Sequence, residues 1–329
     1  MRKLILMFFC SFMSLLLGCA GDQEEQAVKI VRVGYVSGPT ELVHRGAEVF
    51  AQKVAEKSEG RIRVKLYPSG QLGDDRVLAE GLQLRSVDFI LTGCAIIGWY
   101  TPEYTVAEAP FVWRDYEHIE KAWNGAIGEE IREAMRKKNG IEIMYLWMRG
   151  PRYLTSTSEP IRNPDDLDGF KLRVPELEIY MKSWQAFGAN TTPIPFTDMF
   201  MALRLGVVEG QENPLGTIYG NHLHEVQRYI METKHLISFY LFCAGPHFLT
   251  HFTPEEQKIL LEAAREATEW HNAEVESAET DYRKKLEESG VEFIDVDRDA
   301  FRKRALERIP PVFKDVWKQG IYERILEVE

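Results

Sequence analysis

The segment from Thr253 to about Glu288 constrains the fold more than any other part of the chain. Thr253-Pro254-Glu255-Glu256 has the form of a capping box with proline at the first helical position. Ile259, Leu260, Ala263, Ala264, Ala267, Trp270 and Ala273 then recur at helical spacing, and Gly290 closes the run. At about 1.5 Å per residue such a helix reaches ~50 Å. That is longer than one compact domain needs, so the helix either crosses two domains or kinks near His271.

Strand-like and helix-like segments alternate ahead of it. Residues 29–36 (KIVRVGYV) and 61–68 (RIRVKLYP) alternate apolar and polar positions, and 87–92 (VDFILT) is a continuous buried-strand candidate. Between them, Leu42, Ala47, Phe50, Val54 and Ala55 fall at helical spacing. A helix around 117–138 precedes the strand IEIMYLWM (141–148), and Gly150-Pro151 marks a sharp break and a crossover point. Beyond it, the spacing predicts a strand at KLRVP, helices over 176–188 and 197–205, and a returning strand over 235–244. This order predicts an α/β class with a largely parallel sheet.

The N-terminus bears on the compartment. Arg2 and Lys3 precede the apolar run 4–17, which is short for a membrane span of ~20 residues. Gly18 and Cys19 follow, so residues 1–18 are expected to be a signal peptide. Leu16-Leu17-Gly18-Cys19 resembles a bacterial lipobox, which implies cleavage before Cys19, a lipid on its thiol and a membrane-anchored, extracytoplasmic protein. Residues 19–27 then form a lipidated, polar stalk. Losing Arg2 and Lys3 and no acid takes the formal charge from −11 to −13. That balance argues against nucleic-acid binding but not against one small anion at a local arginine cluster. Cys94 and Cys243 both sit in apolar runs, which admits a disulfide or two buried thiols equally.

Enzyme signatures are weak. His222/His224 and His247/His251 lack any HExxH context, and no metal or cofactor is expected at them. Ser156 and Ser158 have no nucleophile elbow. Glu209 and Glu212 stand only three apart in a turn-like stretch. In GFKLRVPELEIY (169–180), Arg173 by local pattern alone belongs on the wet face of a strand.

A longer series changes that reading. Gly150-Pro151-Arg152, PIRNPDDLDGFKLRVP (160–175), GAN (188–190) and ALRLGVVEGQENPL (202–215) follow one another in order. Together with LYPSGQLGDD (66–75), APFVWRDYEH (109–118) and the Thr233-Lys234-His235 region, they resemble the substrate-binding proteins of TRAP (tripartite ATP-independent periplasmic) transporters. The resemblance runs from about Lys29 to Glu288. It implies a two-lobed periplasmic-binding-protein-like fold with a ligand cleft between the lobes and a long helix spanning both. Residues 28–150 plus 239–278 would form lobe I, and 151–238 plus 279–329 lobe II.

The resemblance also implies the site. Arg173 would clamp a ligand carboxylate, a match that physics favours because the planar guanidinium fork fits a carboxylate and keeps its charge. Arg152 would be a second cationic contact, Asn213 an amide donor, Phe196 an aromatic wall and Asp75 an acid toward ligand polar groups. Sialate-binding members carry a glutamate at the position of Gly93 and an asparagine at that of Val36. Sialic acid is therefore not expected, and the first lobe reads as less polar. The implied function is capture of an organic acid and its delivery to a TRAP permease, without catalysis. The alternatives are a receptor of another uptake or sensing system and an exported carboxylate-processing enzyme.

Overall fold

Fifteen consecutive extended residues, Glu142–Ser156, form the strand around which the chain is organised. The computed structural model describes residues 28–329, so the expected signal peptide, Cys19 and the stalk lie outside the described residues. In chain order the strands are β1 (Lys29–Gly34), β2 (Ile62–Tyr67), β3 (Phe89–Gly93), β4 (Glu142–Ser156), β5 (Lys171–Val174), β6 (Asn190–Pro193), β7 (Glu212–Pro214), β8 (Tyr229–Met231), β9 (Ile237–Ala244) and β10 (Glu292–Ile294).

Eight of these make one sheet in the order β10-β8-β4-β9-β3-β1-β2, with β7 also paired to β4. From Glu142 to Pro151, β4 pairs with β9; from Arg152 to Ser156 it pairs with β7 and β8. One strand thus leaves the first half of the molecule and enters the second, and β9 brings the chain back beside it. That return runs antiparallel, as do the pairings of β3 with β9 and of β4 with β7 and β8. The sheet is therefore mixed rather than largely parallel.

The expected break at Gly150-Pro151 is a bulge inside β4, where the register with β9 shifts between Met148 and Gly150. Gly150 sits at φ +96°, a conformation that side chains disfavour. The expected helix over 117–138 is two helices, Tyr116–Asn124 and Ala126–Asn139, because Gly125 adopts an extended conformation (φ −94°, ψ −165°) and caps the second.

The long helix runs unbroken from Pro254 to Glu288, and both halves of the predicted capping box form. Its first part buries Leu260, Ala263, Ala264 and Ala267 against Phe50 of helix Leu42–Lys57 and Phe242 of β9. Its last part buries Tyr282 and Leu286 with Tyr153, Leu215 and Ile218. One amphipathic stripe therefore serves two separate cores. His271, where the sequence admits a kink, is buried and stacked on Trp147 at 4.6 Å. Past the long helix, Phe301 packs on Phe187. The chain then returns to the first half, where Lys318 and Arg324 meet Glu130 at 2.8 and 3.0 Å. Among the described residues no helix is long and apolar enough to cross a membrane.

A Cβ added at Gly150 would stand 2.5 Å from Glu279 Oε2 on the long helix. Gly150→Ala is expected to lower stability by about 1–3 kcal/mol, read from the midpoint of urea unfolding. An unchanged midpoint would show that the bulge stores no strain.

Candidate functional site

The strand β5 carries Arg173 into the interior. Leu172 and Val174 are fully buried, Pro175 ends the run, and Lys171 remains exposed. Arg173 is 2% exposed, so the alternation that places it on a wet face fails at this residue. Its Nε and Nη2 both donate to the Ile194 carbonyl, at 2.9 and 2.6 Å. Among the described residues, Nη1 has no hydrogen-bond partner and no carboxylate forms an ion pair with this guanidinium. Burial pushes its pKa down to about 10; Glu212 works against that shift and Arg152 adds to it. Arg173 is thus a buried cation at neutral pH with no acid of its own.

Arg152 is arranged differently. The register of β4 with β7 sets Arg152 opposite Pro214 and Leu154 opposite Glu212. Arg152 Nε donates to Glu212 Oε2 at 2.5 Å, and Nη2 donates to Oε1 and to the Glu212 carbonyl, each at 2.8 Å. His235 Nε2 lies 3.0 Å from the same carboxylate, and its Nδ1 is 2.8 Å from Thr233 Oγ1. Burial raises the Glu212 pKa, but the Arg152 charge outweighs it and holds the carboxyl at about 2. Burial likewise opposes the Arg152 charge, and Glu212 overrides it, so that pKa moves up. Two buried charges with this fork geometry sustain each other. Glu212 is the counterion of Arg152, and Glu209 accepts from the Lys171 amide at 2.9 Å.

All five expected site residues line one cleft of about 780 Å³, part of it open to solvent. Asn213 accepts from Arg152 Nη2 at 3.1 Å and donates to Gln211 Oε1 at 2.6 Å, which ties the amide into the ion pair. Phe196 is half-buried at the start of a short 3₁₀ turn. Asp75 opens helix Asp75–Leu84 and accepts from Thr92 Oγ1 at 2.8 Å; burial raises its pKa. Trp99 also lines the cleft, whereas Trp147 is core.

Three further lining residues escape sequence reasoning. Tyr180 donates to the buried Glu108, whose pKa burial raises. Arg149 stacks on Tyr240, 4.0 Å from the ring centroid. A Cβ at Gly93 would find only Arg149 Nη1 nearby, at 3.9 Å, so a guanidinium edge occupies the wall that reads from the sequence as less polar. Cys94 and Cys243 are free, buried thiols. Outside the cleft, the ligand atoms of His222, His224 and Glu225 lie within 4.8 Å of one another, the one cluster among the described residues able to hold a metal ion.

The pattern described as bacterial extracellular solute-binding protein, family 7, matches residues 33–319. This chain belongs to that family. TRAP solute-binding proteins share both its sequence and its fold. A solute-binding protein of Roseobacter denitrificans is 32% identical over 279 residues, 85% of each chain. The C4-dicarboxylate-binding protein DctB of Bacillus subtilis is 30% identical over 94% of this chain and 88% of its own. A TRAP periplasmic solute-binding protein of Sulfurospirillum deleyianum, solved with succinate, superposes with a TM-score of 0.88 at 27% identity, covering 92% of this chain and all of that one. The Roseobacter structure, solved with L-galactonate, gives 0.86 at 30% identity over 91% and 99%. Members of the family are two-lobed receptors that serve transport.

The depressed Glu212 pKa has a definite sign for stability. A folded value of about 2 against an ordinary 4.5 gives a contribution that is full above about pH 4.5 and lost as pH falls toward 2. Glu212→Gln leaves Arg152 buried without its charge partner and is expected to cost about 3–5 kcal/mol at pH 7. Its urea midpoint should also fall less steeply than that of the wild type between pH 4.5 and 2. Equal slopes would contradict the assignment.

Proposed function

We propose that the protein is the extracytoplasmic receptor of a TRAP transporter, which captures an organic acid in the cleft and delivers it to the membrane permease. The observation that carries this reading is Arg173, a desolvated guanidinium with an unpartnered Nη1 and no acid within ion-pair distance. A ligand carboxylate supplies the missing charge. Arg152 orients the site through Glu212 and Asn213 and adds positive potential, while Phe196 covers the ligand and Asp75 faces its polar groups. Galactonate and succinate, held by the related structures, are both carboxylates, which agrees with this chemistry.

Lobe I comprises residues 28–150 and 239–278, and lobe II 151–238 and 279–329, except that the chain end carrying Lys318 and Arg324 packs back on Glu130 of lobe I. They connect through β4, β9 and the long helix, so closure is a hinge motion about those three elements. The mature protein begins at Cys19, whose lipid holds it to the membrane.

Losing one partner of a desolvated arginine–carboxylate contact costs about 3–5 kcal/mol. Arg173→Ala is therefore expected to weaken ligand binding by well over tenfold in calorimetry, with unfolding still cooperative. Unchanged affinity would overturn the receptor reading of this cleft. For the anchor, Cys19→Ala is expected to move the protein from the membrane pellet to the soluble fraction; retention in the pellet would exclude lipidation at Cys19.

A further inference from the structure

One turn in the second half of the molecule gathers metal-binding groups outside the cleft. It follows the helix Leu215–Gly220, and its residues Leu223–Glu225 form a single 3₁₀ turn. Leu223 is fully buried in the core that also holds Ile218 and Tyr282, so the turn is anchored from beneath. His222 enters it at φ +56°, in the left-handed region that side chains disfavour. Its Nδ1 lies 3.1 Å from Glu225 Oε1. The His224 ring stands 5.9 Å from the His222 ring and stacks on Tyr219, at 5.4 Å and 11°.

The three side chains offer one ligand atom each, all within 4.8 Å of one another. In a tetrahedral site with bonds of about 2.0–2.2 Å, ligand atoms stand roughly 3.3 Å apart. The separation of His222 and Glu225 already matches that spacing, and both side chains are more than half exposed, so small rotations can close the rest. His224 is the more fixed of the three. Its Nδ1 is buried without a hydrogen-bond partner among the described residues. Burial lowers its pKa, against the opposing effect of the Ile218 carbonyl, so the imidazole is neutral at pH 7 and keeps a lone pair. Among the described residues no lysine or arginine forms an ion pair with Glu225. The missing HExxH spacing is no obstacle, because that pattern belongs to an α-helix and these ligands converge on a 3₁₀ turn.

We propose that His222, His224 and Glu225 form a binding site for one divalent transition-metal ion of the kind that imidazole favours, Zn²⁺ or Ni²⁺, with water at the remaining positions. Two imidazoles and one carboxylate suit such an ion, whereas Ca²⁺ and Mg²⁺ call for oxygen ligands. The site is separate from the cleft and independent of the reading of Arg173. It borders the seam between the two halves, because the preceding residue, Asn221, donates to Glu41 Oε1 at 3.0 Å.

Calorimetry with Zn²⁺ and Ni²⁺ tests this on chelator-treated protein purified without a histidine tag. One ion is expected to bind per chain. His222→Ala and Glu225→Gln, both at exposed positions, should each weaken it by about tenfold or more. His251→Ala, in the chain's other histidine pair, should leave it unchanged. With Cu²⁺ as a spectroscopic probe, electron paramagnetic resonance should show coupling to two imidazole nitrogens, reduced to one in His222→Ala. Cooperative urea unfolding of the variants ensures that a lost ion reports the ligands and not the fold. No binding of either ion, an affinity unmoved in His222→Ala, or a loss in His251→Ala instead would each overturn the site. A wild-type spectrum with fewer than two coupled nitrogens would do the same.

Discussion

The buried pair of Arg152 and Glu212 sets the electrostatics of the whole cleft. Both side chains are almost completely withdrawn from water, and the fork geometry is what makes that tolerable. His235, itself held by Thr233 just before β9, meets the carboxylate from its other side. With Glu212 committed to Arg152, no carboxylate of the described residues is ion-paired with Arg173. In the proposed reading, binding strength comes from an imbalance that the fold maintains: Arg152 has its counterion, and the neighbouring guanidinium takes its charge partner from the ligand.

The strand that carries Arg152 also belongs to the proposed hinge. β4 carries Arg149 in its bulge and Arg152 beyond it, and the long helix packs a different core with each of its ends. Polar contacts cross the seam beside one apolar cluster that joins the two halves, Ile97 and Val106 with Leu177 and Trp184 among its members. Glu41 accepts from Thr217 and Asn221, both at 3.0 Å, and Tyr282 donates to the Thr40 carbonyl at 3.0 Å. Such bonds exchange for bonds to water at a net cost of only about 0.5–1.5 kcal/mol each.

Much of this was legible in the chain. The capping box and alanine-rich stripe of Pro254–Glu288 are local signals, and the helix formed as they prescribe. Arg173, Arg152, Asn213, Phe196 and Asp75 were found through motif order and do line one cleft, yet local alternation alone would have left Arg173 in solvent. A strand covered on both faces cannot be distinguished from a half-exposed one by period two. The direction of β9 was not legible either, because an apolar run reads the same in parallel and antiparallel pairing. Arg149 was missed for a different reason: its meaning depends on Gly93, Tyr240 and Thr217, which only the tertiary fold brings to it. The Gly125 break was hidden by apolar spacing that continues across it.

The most direct test of the uncompensated guanidinium is a crystal structure of the protein with the ligand that co-purifies with it, identified by mass spectrometry. A carboxylate of that ligand should lie about 2.8 Å from Arg173 nitrogens, with Arg152 still bound to Glu212. A ligand whose acidic group sits elsewhere in the cleft, with Arg173 bonded only to the Ile194 carbonyl, would contradict it.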